Sequence, residues 1–104
     1  MSLNIVAVCD NEESAKSLIN GGKEIGYNIY CEIQDGNNIK NELSIESIKN
    51  SNVVLFVTNR NVEEIDGIER FIDREYYEVE PQFVINNPIN NPINVLKEIA
   101  SDLN

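Results

Sequence analysis

The segments LNIVAV, residues 3–8, and VVLFV, Val53–Val57, run apolar almost without interruption. A strand with one face in water alternates apolar and polar residues. Runs of this kind belong instead to strands covered on both faces, as in a parallel sheet held between helices. Two further segments read as strands. YNIYCEIQ, residues 27–34, is mixed in character, and YYEVE, residues 76–80, alternates as an edge strand does.

Amphipathic stretches separate these runs. Ala15, Leu18, Ile19, Gly22 and Ile25 mark one face of a first helix, with Gly21 and Gly22 expected to weaken its middle. Ser44 can cap a second helix, with Leu43 and Ile48 at the spacing of a hydrophobic staple. Val62, Ile65, Ile68, Phe71 and Ile72 outline a third, within the mixed-charge run of residues 63–75, which reads as a solvated helix face. A last helix starts at Asn91 as N-cap with Pro92 at its first position, and buries Ile93, Leu96, Ala100 and Leu103. The doublet NNPINNPI, residues 86–93, is a linker into that helix, too short a unit for a repeat architecture.

The order βαβαβαβα, with right-handed crossovers, gives an α/β three-layer sandwich: a four-stranded parallel sheet of Rossmann or flavodoxin-like topology, as one domain over residues 1–104. Ligands of such sheets sit beyond the carboxyl ends of the strands, near the switch in strand order. Here that is the loop after the first strand, CDNEES.

Composition narrows what the loop can do. There is no histidine to serve as base, metal ligand or phosphate acceptor. The net charge of -10, with no basic cluster, disfavours nucleic acid and acidic lipid surfaces as partners. No apolar run is long enough to span a bilayer, so direct membrane insertion is not expected. Two cysteines without a secretory signal point to free thiols in a reducing, cytoplasmic setting. Neither a cofactor nor a metal is expected.

Cys9 stands between a strand and a helix N-terminus, where orphan N–H groups and the helix dipole lower a thiol pKa and also cradle phosphate. Asp10, Glu12 and Glu13 act in the opposite sense, raising the thiol pKa and repelling an incoming phosphoryl group, and Lys16 is the only nearby cation. Two readings stand side by side: a reactive thiolate, or a buried cysteine beside a solvated acidic loop that favours the helix dipole. A third makes Asp10, Glu12 and Glu13 a receiver-like Mg²⁺ site, although Thr58 and Asn59 occupy the strand end where a receiver has its acceptor aspartate. No Cys-x-x-Cys is present for dithiol exchange, and Cys31, within a strand, reads as packing.

The stretch EIQDGNNIKNELS, residues 32–44, resembles the fructose-specific IIB components of the bacterial phosphoenolpyruvate-dependent sugar phosphotransferase system (PTS). There a strand ending E-T-Q-G leads to E-N-E-L-T and a helix. Glu32, Gln34, Gly36, Asn41, Glu42, Leu43 and Ser44 match, with one extra residue before the glycine. The similarity continues through SNVVLFVTN against A-D-V-V-I-L-A-A-D, then ERF, YYEV and a closing helix after a proline. It implies the α/β three-layer fold and a phosphocarrier that takes phosphate from a IIA histidine onto a cysteine and passes it to fructose at the membrane-bound IIC permease. On that reading Cys9 is the acceptor. The N–H groups of Asp10, Asn11, Glu12, Glu13 and Ser14 form the cradle, with Lys16 as charge partner and Gln34 and Glu42 near the loop by motif match. The family motif C-P-T-G-I-A-H-T is altered here. Cys9 follows VAV directly, where the family has two intervening residues. Without a gap the family cysteine falls on Asn11; aligned from the helix side it falls near Asp10. The alternative is a IIB-like domain without catalysis, acting as a binding or regulatory module.

Overall fold

Within the first strand, odd-numbered residues turn to one layer of helix and even-numbered residues to another. In the computed structural model, which describes residues 3–103, β1 (Asn4–Cys9) is the centre of the sheet. Ile5, Ala7 and Cys9 pack with Ala15 and Leu18 of α1 (Glu12–Glu24) and with Leu96 and Ile99 of α3 (Pro92–Leu103). Val6 and Val8 pack on the opposite side with Ile48 of α2 (Ile45–Lys49) and with Leu43, Ile65 and Phe71. Both faces of β1 are therefore covered, as its lack of alternation required.

The remaining strands are β2 (Asn28–Asp35), β3 (Asn38–Lys40), β4 (Val53–Val57) and β5 (Tyr76–Val79), in the order β3-β2-β1-β4-β5. The sheet thus has five strands rather than the expected four. β2, β1, β4 and β5 are parallel, and β3 returns antiparallel on β2. Asp35 pairs with Asn38, leaving Gly36 and Asn37 as a two-residue hairpin turn in which Gly36 takes φ 65°. Glycine at the first of the two turn positions is the sequence mark of a type II′ hairpin turn. β3 escapes a hydrophobicity reading because its three residues are all exposed.

Another correction concerns the expected third helix. Residues 62–72 form two separate 3₁₀ turns, Val62–Glu64 and Ile68–Phe71. Gly67 between them adopts φ 71°, where a Cβ would also meet Arg70 Nε at 2.6 Å, and a left-handed residue ends a right-handed helix. Ile65 and Phe71 are buried as the apolar spacing required, but Ile72 is 68% exposed.

The glycines of α1 do not interrupt it. A Cβ on Gly22 would stand 2.4 Å from Ile29 Cγ1, and one on Gly21 would stand 3.1 Å from Pro92 Cγ. Their bareness lets α1 seat closely on β2 and against α3, and tertiary packing outweighs the cost of helical glycine. The staple forms as read: the Ser44 hydroxyl accepts from the Ser47 N–H at 3.1 Å, and Leu43 and Ile48 share one buried cluster. At α3, Asn91 Oδ1 accepts from the Ile93 N–H at 2.8 Å. Ile99 joins Leu96 in the core there, while Ile93, Ala100 and Leu103 are half-buried.

Candidate functional site

From β1 the chain turns into α1 on one face; from β4 it turns into the 3₁₀ turns on the other. The crevice between those two exits is the switch point of the sheet. The loop from Cys9 to Ser14 lies there. Beside it, at the carboxyl ends of β4 and β5, is an open cavity of about 380 Å³ lined by Thr58, Asn59, Arg60, Glu78, Glu80 and Phe83.

Cys9 is the last residue of β1, and its side chain faces the α1–α3 core with no exposure. Cys31 of β2 lies on the same face and donates its thiol proton to the Ala15 carbonyl, Sγ to O 3.8 Å. A hydrogen bond with Cys31 raises the Cys9 pKa well above its ordinary value. Burial, the closeness of Cys31 and the Asp10 carboxylate push in the same direction. Both cysteines are free thiols.

Asp10 turns the other way. Its backbone N–H donates to the Val57 carbonyl at 3.0 Å. Its carboxylate accepts from the Asn59 N–H at 2.9 Å and from Arg60 Nη2 at 3.3 Å. Asn11 is the N-cap of α1, and its side-chain oxygen accepts from the Ser14 N–H at 2.8 Å. A donor that could cradle an anion is therefore occupied by the chain's own carboxamide. Glu12 and Glu13 lie exposed in the first turn, favourably placed for the helix dipole. Lys16 pairs at 3.8 Å with Glu12, both largely in water, a contact of little strength. Ser14 is buried, and its hydroxyl has no hydrogen-bond partner among the described residues. The three loop carboxylates do not converge, and among the described residues no group of three acidic, cysteine or histidine side chains is placed to hold a metal ion.

Gln34 is brought to this loop; Glu42 is not. Gln34 Oε1 accepts from Arg60 Nη2 at 3.4 Å and from the Asp66 N–H at 3.0 Å. Its Nε2 donates to Glu32 Oε2 at 2.7 Å and to the Asp66 carbonyl at 2.9 Å. Glu32 has no exposed surface and meets Arg70 through two parallel bonds, Nη1 to Oε1 at 2.8 Å and Nη2 to Oε2 at 2.9 Å. The Leu43 N–H also donates to Glu32 Oε1, at 2.8 Å. Burial alone would raise the Glu32 pKa. The bonds from Arg70, Gln34 and the Leu43 N–H outweigh it and hold the carboxyl below its usual value. Pairing with Glu32 correspondingly raises the Arg70 pKa. Glu42 is exposed and stands 3.9 Å from Arg70 Nη1, at the far end of this network.

Asp10, Arg60, Gln34, Glu32 and Arg70 thus form one polar chain across the ends of three strands. Sequence reasoning missed Arg60 and Arg70. The usable signal was the spacing Glu32-x-Gln34 inside a covered strand: both side chains fall on one face, and a carboxylate there demands a cation.

The backbone path has clear relatives among solved structures. Over 99% of this chain and 95% of the other, it matches the Enzyme IIB subunit of the PTS system from Escherichia coli K12 with TM-score 0.82 and 24% identity. A predicted fructose-specific IIB from Escherichia coli matches with TM-score 0.78 and 21% identity, covering 97% and 89% of the two chains. A domain of the fructose-specific IIABC component from Borrelia burgdorferi matches with TM-score 0.76 and 32% identity over 94% of this chain and 93% of that domain. The chain belongs to the fructose-specific IIB family of the PTS. No protein-family model and no curated protein matches the sequence. As a IIB-family domain it carries, among the described residues, no helix long and apolar enough to cross a membrane.

Proposed function

We propose that this chain serves as a IIB-type recognition domain of a fructose-family system, engaging a IIA phosphodonor and a IIC permease without carrying phosphate on cysteine. The observation behind this reading is the placement of Cys9. Its thiol lies inside the α1–α3 core beside a second thiol, with its pKa raised rather than lowered. A phosphoryl acceptor must reach its donor as a thiolate, and burial beside Asp10 disfavours that form. The loop supports the same reading, because the Asn11 carboxamide occupies the Ser14 N–H, which would otherwise be open to an anion at the N-terminus of α1.

The phosphocarrier reading draws on a different observation: Cys9 ends β1 immediately before the loop leading to the N-terminus of α1. It requires the strand end to open, so that Cys9 leaves the core and meets the N–H groups of residues 10–14 with Lys16 alongside. One experiment separates the two. The chain and Cys9→Ser are incubated with a phosphorylated fructose-type IIA, and intact mass is followed beside a phosphorylatable IIB control. The expected result is no mass gain, with NMR shift changes at the switch crevice reporting IIA contact. A single added phosphoryl group that disappears in Cys9→Ser would overturn the proposal and establish the carrier.

A further inference from the structure

The side of β5 turned away from β4 differs in character from the loop. β5 ends the strand order, and among the described residues it pairs only with β4. The Val54 N–H donates to the Glu75 carbonyl at 3.0 Å, and the Thr58 N–H to the Val79 carbonyl at 3.0 Å. Alternation along a parallel ladder then turns the backbone of residues 75, 77 and 79 inward and that of Tyr76 and Glu78 outward. Along the same edge runs a groove of about 210 Å³ between β5 and α3, floored by Tyr77, Val79, Val95 and Ile99. Its rim is acidic: Glu98 and Asp102 of α3 line it, Glu78 lines it from β5 with its side chain turned to the other face of the strand, and no lysine or arginine is among the lining residues. Glu75 and Glu80 flank the strand. Arg74, which precedes it, turns its guanidinium onto the Ser51 carbonyl instead.

Edge strands are guarded by charged side chains, proline or a covering segment. The charges on this one are glutamates beside an apolar floor, which repel an acidic strand and admit a basic one. We propose that the β5 edge and the β5–α3 groove take an extended basic segment of a partner protein, added as a strand. Main-chain bonds to Tyr76 and Glu78 would fix its direction. On the α3 side its apolar side chains would enter the groove and its lysines or arginines would meet Glu98 and Asp102, while basic side chains on its other side would meet Glu78. The charge of the rim decides between occupants, because a second copy of a chain of net charge -10 would bring like charge to it.

The test uses the full chain and a fluorescein-labelled peptide of the repeat Val-Thr-Lys-Thr, which sets Val and Lys on the same face of a strand, with a Val-Thr-Glu-Thr repeat as control, read by fluorescence anisotropy. Glu78→Pro removes an outward N–H while leaving the ladder to β4 intact, a substitution edge strands tolerate. Glu98→Lys reverses the rim without touching β5. The expected pattern is binding of the Lys peptide alone, weakened by salt. Losing the main-chain contact in Glu78→Pro weakens it about tenfold, and Glu98→Lys weakens it independently. Amide exchange at Tyr76 and Glu78 slows on binding. Unchanged affinity in folded Glu78→Pro, or no binding at millimolar peptide, overturns strand addition. Unchanged affinity in Glu98→Lys overturns the charge argument. Concentration-dependent dimerisation in sedimentation, lost in Glu78→Pro, would assign the edge to a second copy and overturn the proposal.

Discussion

Glu32 and Cys9 sit on neighbouring strands, near the same end of the sheet, and neither exposes any surface to solvent. They face opposite layers, and their surroundings differ in kind. Glu32 is met by a two-pronged guanidinium, a carboxamide and a backbone N–H, and its carboxyl pKa falls. Cys9 is met by another thiol and by the aliphatic side chains of α1 and α3, and its pKa rises. Burial is common to both, so burial does not decide whether a group is charged. The supply of donors decides, and here it is spent on the Glu32 side of the sheet.

The contrast breaks most severely if Arg70 is removed. Arg70→Ala leaves Glu32 buried with its main cation gone, and a loss of about 3–5 kcal/mol is expected, read from urea unfolding at neutral pH. The sign with pH follows from the lowered native pKa of Glu32. Its contribution is complete above the ordinary carboxyl value of 4.5 and is lost as pH falls through the lower native value. Glu32→Gln should therefore flatten the acid limb of the stability profile. An acid limb as steep as that of the parent chain would show that Glu32 is not the group responsible.

A smaller effect is expected on the Cys9 side. Cys9→Ser is nearly isosteric but brings a stronger polar group into a layer with few donors, at a cost of roughly 1–3 kcal/mol. Cys9→Ala avoids that desolvation and opens only a small cavity, so it should cost less than Cys9→Ser. In the folded chain iodoacetamide should modify Cys9 only at the rate of local opening, and readily in urea. Rapid native alkylation at neutral pH, or a Cys9→Ser chain as stable as the parent, would mean that the strand end is open to solvent. The physical case against a reactive Cys9 would then fall.

These two sides were unequally legible in the sequence. The apolar runs of β1 and β4 identified strands covered on both faces, because they are short and rich in β-branched residues as well as continuous. The Ser44 cap with Leu43 and Ile48 was legible for the same reason: cap and staple are local. What depended on distant partners was not. Residues 62–72 carried helical spacing, yet the positive φ of Gly67 splits the segment beside the Asp66 backbone, which is held by Gln34. Gly21 and Gly22 looked like defects until Pro92 and Ile29 were seen against them. At the loop, sequence named Cys9 and its acidic neighbours but not which way each turns. One residue of pleat sends Cys9 inward and frees Asp10 to meet Arg60, fifty positions away.

Asn11 sharpens the comparison most finely, since it lies where an ungapped match places the family cysteine. Its carboxamide oxygen caps α1 by accepting from the Ser14 N–H, as an anion at that N-terminus would. If capping is its role, Asn11→Ala should cost about 1 kcal/mol, Asn11→Asp should be close to neutral, and Asn11→Ser should retain most of the cap. Asn11→Cys asks more. A thiol at this position is outside the core and at the helix N-terminus, so in a Cys9→Ala background, where buried Cys31 is the one remaining native thiol, it should alkylate far faster than Cys9 does in the parent chain at the same pH. Equal reactivity of the two positions would mean that the acidic first turn, rather than burial, suppresses the thiolate. A fast Asn11→Cys thiol would show that the loop can still activate a nucleophile, and that the residue at position 11 is what this chain lacks.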